Sequence, residues 1–409
     1  MKIAFFVSQF PSISQTFVLN QITGLLDRGH EVDIFARRPG AVSKVHEDVV
    51  EYDLLKRTHY FSSIPKNRFL RAIKGLALIG RYASRKPAII ANSLNILKHG
   101  MESASLVLLF QAIPFLNKNA FDVIYCHFGP NGAMAVKLRE AGVISGKIVT
   151  VFHGYDLTSY LAKNGKKIYN DLFEKGDLFQ PISKRWESKL IELGCSRERI
   201  SVHRMGIDID KIEFSKRSDT DGGCIKLLSI ARLVEKKGIE FGIQAVSKLI
   251  KQFPDTEYCI VGDGPLKSDL SSLIDRLQMN HKIKMMGWMN QAEIFAFMQQ
   301  SDILLAPSVT GQSGDQEGIP VVLMEAMAHG LPVVSTRHSG IPELVIDNQT
   351  GFLVEERDTE GLTEKIALLI SNPEMRRKFA DDARNRVARN FNSRLLNDDL
   401  MMTFCKLAN

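Results

Sequence analysis

The chain has 409 residues, of which 24% are charged and 44% hydrophobic, and its formal net charge is +7. This length exceeds what one ordinary core organises, so we expect two domains of roughly 200 residues each. The composition excludes a disordered chain or a fibrous repeat, and no apolar run is long enough to form a membrane-spanning helix. The cysteines are odd in number and never form a C-x-x-C pair, which favours a reduced, cytoplasmic chain without a zinc ribbon.

Apolar, β-branched segments alternate with helical patterns along the whole chain. In the first half the predicted strands are 2–8, 31–36, 122–128, 147–153 and 177–183. In the second half they are 224–231, 257–263, 282–287, 302–308, 332–337 and 351–355. Because most are continuously apolar, they predict parallel strands that are covered on both faces. The fold class is therefore α/β, with two doubly wound parallel sheets.

The helical patterns and one polar stretch set the expected domain limits. The first predicted helix, 16–27, turns Phe17, Val18, Ile22, Leu25 and Leu26 inward, and two more helices are expected at 373–390 and 393–406. The stretch 206–223 is polar and aperiodic, which predicts a linker. The domains are then 1–205 and 206–392, with a final helix at about 393–409 that could pack back on the first domain. Ligands of such sheets bind beyond the carboxyl ends of the strands, so two facing domains predict a cleft.

The segment EGIPVVLMEAMAHG, at 317–330, carries Glu317 and Glu325 with seven residues between them. Pro320 suits the first turn of a helix, and N–H groups near Gly318 and Ile319 would favour an anion there. Glu325 would lie inside the helix among apolar neighbours, where a carboxylate without a partner is costly. A solvated Glu325 is the alternative, but we prefer two carboxylates that hold separate hydroxyl groups of one ligand.

Two cations and two glycine turns accompany this element in the second half. Arg232 follows a predicted strand and Lys237 precedes a helix, which suits a diphosphate, although an ordinary charged loop fits equally well. The turn at Gly262 in IVGDGP allows close backbone approach, but it lacks the third glycine of a dinucleotide fingerprint. The turn in HSGIPELV, at 338–345, is typical of a structural element.

A stretch in the first half contains basic residues only. Between Asp53 and Glu102 there is no acidic residue, and ten residues are Lys or Arg. Part of the stretch is amphipathic: Arg71, Lys74, Arg81 and Arg85 share one helical face, next to Phe69, Leu70, Ile73 and Leu76. An anionic membrane surface is one predicted partner of this basic segment, 54–101. A solvated face whose apolar side packs on the core is equally consistent, and nucleic acid is disfavoured because no recognition motif accompanies the charge.

Taken together, the second-half segments resemble the retaining glycosyltransferases of family 4, which have the GT-B fold. The resemblance rests on LLSIARLVEKKG, IVGDGP, DILLAPS, EGIPVVLMEAMAHGLPVVST, GIPELV and TGFLV, in that order. In the first half, MKIAFFVSQFPSISQTFVLNQI and FHGYDL are similar to exopolysaccharide members of the family, including those of the colanic-acid type.

The resemblance implies a nucleotide-diphosphate-sugar donor and a saccharide or polyprenyl-linked saccharide acceptor at the cytoplasmic membrane. Arg232 and Lys237 would hold the diphosphate, Gly262 and Pro320 would belong to the donor site, and Glu325 would hold the ribose. Glu317, with the amides of Gly318 and Ile319, would hold the donor sugar. His153 would lie across the cleft, and His127 would be structural or line the acceptor site. The loop 12–16 lacks the glycines common in relatives, so the hydroxyl groups of Ser14 or Thr16 would approach the diphosphate instead.

The expected reaction needs no cofactor and no metal. Asp208 and Asp210 form an Asp-x-Asp pair, but their place in the presumed linker favours a solvated pair over a metal site. A sugar phosphorylase, a nucleotide-sugar epimerase and a non-catalytic nucleotide-sugar-binding protein remain alternatives. The base, the sugar and the acceptor are not readable from the sequence. Trp288 follows Gly287 and could lie near the base, but core packing is the preferred expectation.

Overall fold

The computed structural model describes residues 1–12, 16–40, 46–118, 120–214 and 223–408. Its first sheet has six parallel strands in the order β3-β2-β1-β4-β5-β6. These strands are β1 Lys2–Phe10, β2 Glu31–Pro39, β3 Thr58–Tyr60, β4 Ala120–His127, β5 Ser145–Phe152 and β6 Leu178–Pro181. All five predicted first-half strands are present, and β3 is an additional short strand at the sheet edge.

The second sheet also has six parallel strands, in the order β12-β11-β10-β7-β8-β9. They are β7 Ile225–Ile230, β8 Thr256–Val261, β9 Ile283–Gly287, β10 Ile303–Ala306, β11 Val333–Thr336 and β12 Gly351–Val354. Each coincides with a predicted strand. Two parallel sheets with helices between successive strands confirm the predicted α/β class.

The helices of the first sheet's region are α1 Thr16–Asp27, α2 Glu47–Glu51, α3 Arg68–Tyr82, α4 Pro87–Ser93, α5 Ile96–Ala104, α6 Val107–Ala112, α7 Gly129–Glu140, α8 Ser159–Asn164, α9 Asn170–Lys175 and α10 Lys184–Glu192. Those that follow are α11 Ile239–Leu249, α12 Lys267–Arg276, α13 Gln291–Gln300, α14 Val321–Ala328, α15 Ile341–Leu344, α16 Thr359–Ser371, α17 Pro373–Asn390 and α18 Ser393–Ala408. Within the described ranges, no helix combines the length and the apolar character needed to cross a membrane.

The strand order reverses once in each sheet, between β1 and β4 and between β7 and β10. At such a switch point the connections leave in opposite directions and open a crevice beyond the carboxyl ends of the strands. His127 ends β4, and Arg232 follows closely after β7. The strand order alone therefore places candidate residues from both halves at the two crevices.

The cores follow the two sheets, with one exception at the chain's end. The apolar strands of the first sheet pack around residues such as Phe5, Tyr125 and Phe152, and Phe404 of α18 joins this cluster. Helix α18 packs on α1, and the ring of Phe404 meets the ring of Tyr125 edge-on, with 5.1 Å between the centroids. The last helix thus crosses back from the second sheet's helices to the first sheet.

Part of the presumed linker packs as core. Ile207, Ile209 and Ile212 are buried in a cluster with residues of the second sheet and of α14. The N–H of Ile207 donates to the carbonyl of Phe391 at 2.9 Å. Most residues of 206–223 are polar, which is why the sequence predicts a linker there. Three apolar side chains, spaced two and three residues apart, nevertheless anchor the stretch in the core after it leaves the first sheet. Residues 215–222 of this stretch lie outside the described residues.

Candidate active site

The carboxyl ends of β7 and β10 border a small hollow at the switch point of the second sheet. Its lining includes Ala231, Lys237, Ala306, Ser308 and Pro320. Arg232 comes directly after Ala231, and its side chain is exposed. Lys237 ends a short 3-10 turn just before α11. The hollow therefore has the cation Lys237 in its lining, and a second cation, Arg232, follows the lining residue Ala231 in the chain. That these two cations hold a diphosphate remains a prediction.

Glu317 lies in the loop that leads from β10 to α14, and its side chain is almost completely buried. Its Oε2 is 3.0 Å from Nζ of Lys237, and its Oε1 is 3.8 Å from Nζ of Lys236. Burial alone would raise the pKa of Glu317, but the two ammonium groups lower the pKa below its ordinary value. Oε1 accepts no hydrogen bond from the described residues. The carboxylate is thus ionised, and its buried Oε1 retains an unused capacity to accept a hydrogen bond.

The segment Glu317–Pro320 runs into α14 without being part of it. Helix α14 begins at Val321, and Pro320 is its N-cap with φ −64° and ψ 125°. The prediction that Pro320 lies in the first turn is therefore wrong by one residue. The ring of proline fixes φ, but the extended ψ keeps this residue outside the helix. The amides of Gly318 and Ile319 consequently precede the helix and do not belong to its first turn.

Glu325 lies in the second turn of α14 and is partly buried. Burial raises its pKa to about 7, against a hydrogen bond with the side chain of Gln291. Gln291 is the first residue of α13, and its Oε1 lies 3.0 Å from Nε2 of His46 in the first half of the chain. The apolar sequence around Glu325 indicated the need for a partner, and the structure identifies that partner as Gln291.

Gly262 follows β8 with a φ of 140°, and a Cβ atom there would lie 1.8 Å from the carbonyl oxygen of Ala231. Its N–H donates to the carbonyl of Gly287 at 2.7 Å. The predicted close approach is therefore to the backbone that follows β7, which already requires a glycine. A role of Gly262 in donor binding remains a prediction.

The first-domain side of the cleft carries two neutral histidines. His153 directly follows β5, and its Nε2 lies 3.0 Å from Nδ1 of His127. The rings of Phe17 and Phe128 flank His153, with centroids 4.9 Å and 4.5 Å away. Burial lowers the pKa of His153 to about 3 and that of His127 well below its ordinary value. His153 can therefore offer a hydrogen bond to a ligand but brings no positive charge.

A buried carboxylate holds the backbone around these histidines. Asp156 accepts the N–H groups of His153 and Gly154 on Oδ1, at 3.0 and 2.9 Å, and that of Gly129 on Oδ2 at 3.0 Å. Burial raises its pKa to about 6, although the backbone donors lower it. Asp156 thus ties the segment after β5 to the start of α7, which follows β4.

The two domains touch at Gly318. A Cβ atom on this residue would lie 2.7 Å from the carbonyl oxygen of His153 and 2.5 Å from Cδ1 of Ile182. Nearby, the guanidinium of Arg185 donates to Oε1 of Gln316 at 3.1 Å. The segment that carries Glu317 therefore lies directly against the segment that carries His153.

The structure brings several predicted site residues together. Lys237, Glu317, Gly318 and His153 share one region of the cleft, and Thr16 begins α1, next to Phe17 on the ring of His153. Ser14 lies outside the described residues. Ile319 is buried between α14 and the Gly340 turn, where its Cγ1 would be 2.8 Å from a Cβ at Gly340.

Two further sequence expectations concern Trp288 and the Asp-x-Asp pair. Trp288 is 48% exposed, so the expectation of core packing is wrong. Its preceding residue, Gly287, turns the chain outward with φ 78°. The side chain of Asp208 accepts the N–H of Asp210 at 3.2 Å, and Asp210 pairs with Arg394 at 3.3 Å. In the part of the chain that the structure describes, no three His, Cys, Asp or Glu side chains are grouped to hold a metal ion.

Four residues of the site were not identified from the sequence. They are Asp156, Lys236, His338 and Glu356, of which His338 accepts the N–H of Glu317. Signals for three of them existed, because Asp156 lies in FHGYDL, Lys236 adjoins Lys237 and His338 opens HSGIPELV. Glu356 lies in the charged segment EERD and had no distinguishing signal.

Two family models match the chain in succession. The model described as Glycosyltransferase Family 4 matches residues 14–211, and the model described as Glycosyl transferases group 1 matches residues 210–386. Among curated proteins, the putative colanic acid biosynthesis glycosyltransferase WcaL of Salmonella typhimurium is 40% identical over 407 residues, covering 98% of each chain. The amylovoran biosynthesis glycosyltransferase AmsK of Erwinia amylovora is 42% identical, covering 88% of this chain and 89% of its own.

Among solved structures, Anabaena Alr3699/HepE in complex with UDP aligns with a TM-score of 0.73 and 19% identity, over 99% of this chain and 100% of its own. The same protein in complex with UDP-glucose aligns with a TM-score of 0.71. At this identity the likeness speaks for the fold alone, and it confirms the predicted GT-B architecture of two Rossmann-like domains.

Proposed function

The chain belongs to the family 4 glycosyltransferases, and we propose that it moves a sugar from a nucleoside diphosphate to a saccharide acceptor in exopolysaccharide biosynthesis. The carrying observation is the buried, ionised Glu317 paired with Lys237 beside the switch-point hollow. A carboxylate and an ammonium group held side by side match the hydroxyl groups and the diphosphate of one donor.

The proposed reaction retains the anomeric configuration of the sugar. Its transition state gathers negative charge on the leaving diphosphate, and fixed positive charge from Lys237 and Arg232 stabilises that charge. The leaving phosphate takes the proton of the acceptor hydroxyl. Glu317 is assigned to the sugar's hydroxyl groups, since a carboxylate whose pKa is lowered by Lys237 and Lys236 is a weak nucleophile.

The reaction is proposed to need no metal ion. Lys237 and Arg232 supply the positive charge that a divalent cation would otherwise bring to a diphosphate. Turnover unchanged by EDTA would support this, and turnover restored to a chelated enzyme only by Mg²⁺ or Mn²⁺ would refute it.

The donor class is tested by thermal shift, because a ligand that binds only the folded protein raises Tm. The panel contains UDP-glucose, UDP-galactose, UDP-N-acetylglucosamine and GDP-mannose, each beside its free sugar as the control. A rise in Tm with a nucleotide sugar, reduced in Glu317→Ala, supports the proposal. No shift with any of them, in a protein that is folded, contradicts the proposed donor class.

The acceptor is proposed to be linked to a polyprenyl lipid. Transfer of labelled sugar from the donor into the butanol-extractable fraction of membranes from an exopolysaccharide-producing bacterium would support it. Label found only in water-soluble product would contradict the lipid link. The coupling constant of the anomeric proton in the product then tests retention, and release of sugar phosphate on adding inorganic phosphate would indicate a phosphorylase instead.

The partner proposed for the basic segment 54–101 is an anionic membrane surface in the cytoplasm. In the structure, the apolar side chains of α3 do not pack on the core: Phe69 is 75% exposed and Leu76 is 68% exposed, with Ile73 between them. The inward side of α3 carries Gly75, where a Cβ would lie 2.6 Å from Cδ1 of Leu106. Arg71 also turns inward and donates to the carbonyls of Pro65 and Ser105.

This arrangement supports membrane contact over a solvated face packed on the core. Phe69, Ile73 and Leu76 follow one another at helical spacing on the outer face, and the exposed cations Lys74 and Arg81 lie on the same helix. An exposed apolar stripe flanked by basic residues fits acyl chains below a layer of anionic headgroups. On α5, Leu97 and Met101 are exposed as well.

Flotation with vesicles of phosphatidylcholine, with and without phosphatidylglycerol, tests this partner. Binding is expected to the anionic vesicles, and the double variant Phe69→Ser/Leu76→Ser should weaken it by at least about a hundredfold, since each buried apolar side chain contributes about 1.5–3 kcal/mol. Leu395→Ser/Met402→Ser, on the exposed face of α18, is the matched control. Equal binding by all three proteins, or binding to neither kind of vesicle, would refute the proposal.

A further inference from the structure

The loop that carries Glu317 is held at its C-terminal end by residues that follow β11. The N–H of Glu317 donates to Nε2 of His338 at 3.0 Å, and Oγ of Ser339 donates to the carbonyl of Glu317 at 2.7 Å. Both polar groups of this one residue's backbone are therefore bound by two consecutive residues. The orientation of the Glu317 main chain follows from these bonds.

The opposite nitrogen of His338 connects to the start of the same loop. Nδ1 of His338 lies 2.6 Å from Oε1 of Glu356. The carboxylate of Glu356 accepts the N–H of Thr310 at 2.7 Å and its hydroxyl at 3.1 Å. One chain of bonds thus runs from Thr310 through Glu356 and His338 to Glu317, and it joins the two ends of the loop 310–317.

The hydrogen-bond pattern fixes the tautomer of His338. A backbone N–H can only donate, so Nε2 must carry no proton, and the single proton of the neutral ring lies on Nδ1, pointing at Glu356. Burial lowers the pKa of His338, although Glu356 and Glu317 favour the charged ring. The ring is fully buried and therefore serves as a fixed acceptor under Glu317.

The ring of His338 matters for the site because it binds the backbone N–H of Glu317, which fixes the main chain from which the Glu317 carboxylate reaches Lys237. Oε2 meets Lys237, and Oε1 accepts no hydrogen bond from the described residues. If the peptide group of Glu317 rotated, the carboxylate would leave Lys237. A donor sugar would then lose its partner, while a diphosphate held by Lys237 and Arg232 would keep its cations.

We propose that His338 is a positioning residue, whose neutral ring fixes the Glu317 backbone and so places the carboxylate that recognises the sugar of the donor. This inference rests on the proposed function, since it takes sugar recognition as the task of Glu317. Its specific consequence is a split between two affinities: His338 supports the binding of the nucleotide sugar but not that of the nucleoside diphosphate alone.

The test compares His338→Phe with His338→Gln by calorimetry, with UDP-glucose and UDP, and with GDP-mannose and GDP. Phenylalanine preserves the ring's packing but leaves the N–H of Glu317 without an acceptor, so the affinity for the nucleotide sugar should fall about tenfold. Glutamine can present Oε1 to that N–H and should recover most of the affinity. The affinity for the nucleoside diphosphate should stay within about twofold of wild type in both.

A purely structural role of the buried ring predicts the opposite order, with phenylalanine tolerated better than glutamine and both ligands affected alike. That outcome would overturn the inference. An imidazole ¹H–¹⁵N correlation spectrum provides a second measurement, with the His338→Gln spectrum identifying the signal. A protonated Nδ1 at neutral pH is expected, and a protonated Nε2 would also overturn the inference.

The two proposals fail in different ways. Wild-type protein that binds none of the four nucleotide sugars of the thermal-shift panel would refute the proposed donor, and the role of His338 in sugar recognition would fall with it. Wild-type protein that binds one of them, with an unchanged affinity in His338→Phe, would refute the role of His338 alone.

Discussion

The two walls of the cleft differ in how they handle charge. On the second-domain wall, a buried Glu317 is kept ionised by Lys237 and Lys236. On the first-domain wall, His153 and His127 are buried, paired with each other and neutral. The walls nevertheless touch, because the backbone of Gly318 lies against the carbonyl of His153.

This difference places the fixed charges of the cleft on the second-domain wall. Charge that develops on a leaving diphosphate is stabilised best by groups that are fixed in advance and shielded from water. A neutral opposite wall avoids a competing cation and can orient hydroxyl groups by hydrogen bonds alone. We therefore expect charge-removing substitutions to act most strongly on the second-domain wall, and substitutions on the first-domain wall to act through backbone geometry.

The largest expected effect is that of Lys237→Ala. It removes a cation from the diphosphate and the nearest partner of a buried carboxylate, so turnover should fall by about a hundred- to a thousandfold. Lys236→Ala is the matched comparison, since Lys236 is farther from Glu317 and pairs with Asp315 at 3.0 Å. Its effect should be less than about tenfold. The measurement is kcat with the donor identified by thermal shift.

Equal losses in the two lysine variants would contradict the assignment of Lys237 to the leaving group. The contrast between the walls would also weaken if His153→Ala lowered kcat as much as Lys237→Ala does. A neutral ring that only orients the donor or acceptor should have the smaller effect on kcat.

The second expected effect is on stability and concerns the first-domain wall. Asp156→Asn replaces one carboxylate oxygen by an NH₂ group, which must then face a backbone N–H that it cannot accept. The buried donor left unpaired should lower the free energy of unfolding by about 2 kcal/mol and Tm by about 4–8 °C. Asp171→Asn, on the exposed face of α9, is the control and should change Tm very little. A Tm of Asp156→Asn equal to wild type would show that Asp156 does not hold the wall together.

Local patterns in the sequence predicted every described strand except β3, and they singled out the segment that carries Glu317 and Glu325, but they did not reveal which faces meet. Helix α3 is an example, because its amphipathic pattern was readable while its orientation was not. The close contact between Gly75 and Leu106 turns Phe69 and Leu76 outward and Arg71 inward. That choice depends on a partner 31 residues away in the chain, which no local period contains.

The residues missed by the sequence share this dependence on distant partners. Asp156 accepts a hydrogen bond from the N–H of Gly129, 27 residues upstream, and His338 accepts one from the N–H of Glu317, 21 residues upstream. These bonds give the two residues their roles, and neither bond is visible in the local sequence. The strand β3, Thr58–Tyr60, is three residues long at the sheet edge, too short to show a period. Motif spacing was enough to find Lys237 and Glu317 on the charged wall. The neutral wall depends on hydrogen bonds from backbone N–H groups to Asp156, which form only in the folded chain.

The smallest expected effect concerns Glu325, whose carboxyl group is proposed to hold the ribose. With a pKa of about 7, it should be mostly ionised at pH 8 and mostly protonated at pH 6. If the ribose hydroxyls donate to the ionised form, lowering the pH from 8 to 6 should reduce the affinity for UDP-glucose by up to about tenfold. The phosphates of UDP-glucose do not titrate in this range, so calorimetry at pH 6, 7 and 8 reports on the protein. Glu325→Gln should weaken binding at pH 8 and remove the dependence on pH.

Stability should respond with the opposite sign, which makes the assignment to Glu325 specific. A raised pKa means that the folded state binds the proton more tightly than the unfolded state, so this group's contribution to stability falls as pH rises from about 4.5 through 7. Glu325→Gln should therefore raise Tm at pH 8 more than at pH 6, while it lowers the affinity for UDP-glucose at pH 8. If the variant kept the wild-type pH dependence of binding, another group would be responsible, and Glu325 would be only a helix residue bonded to Gln291.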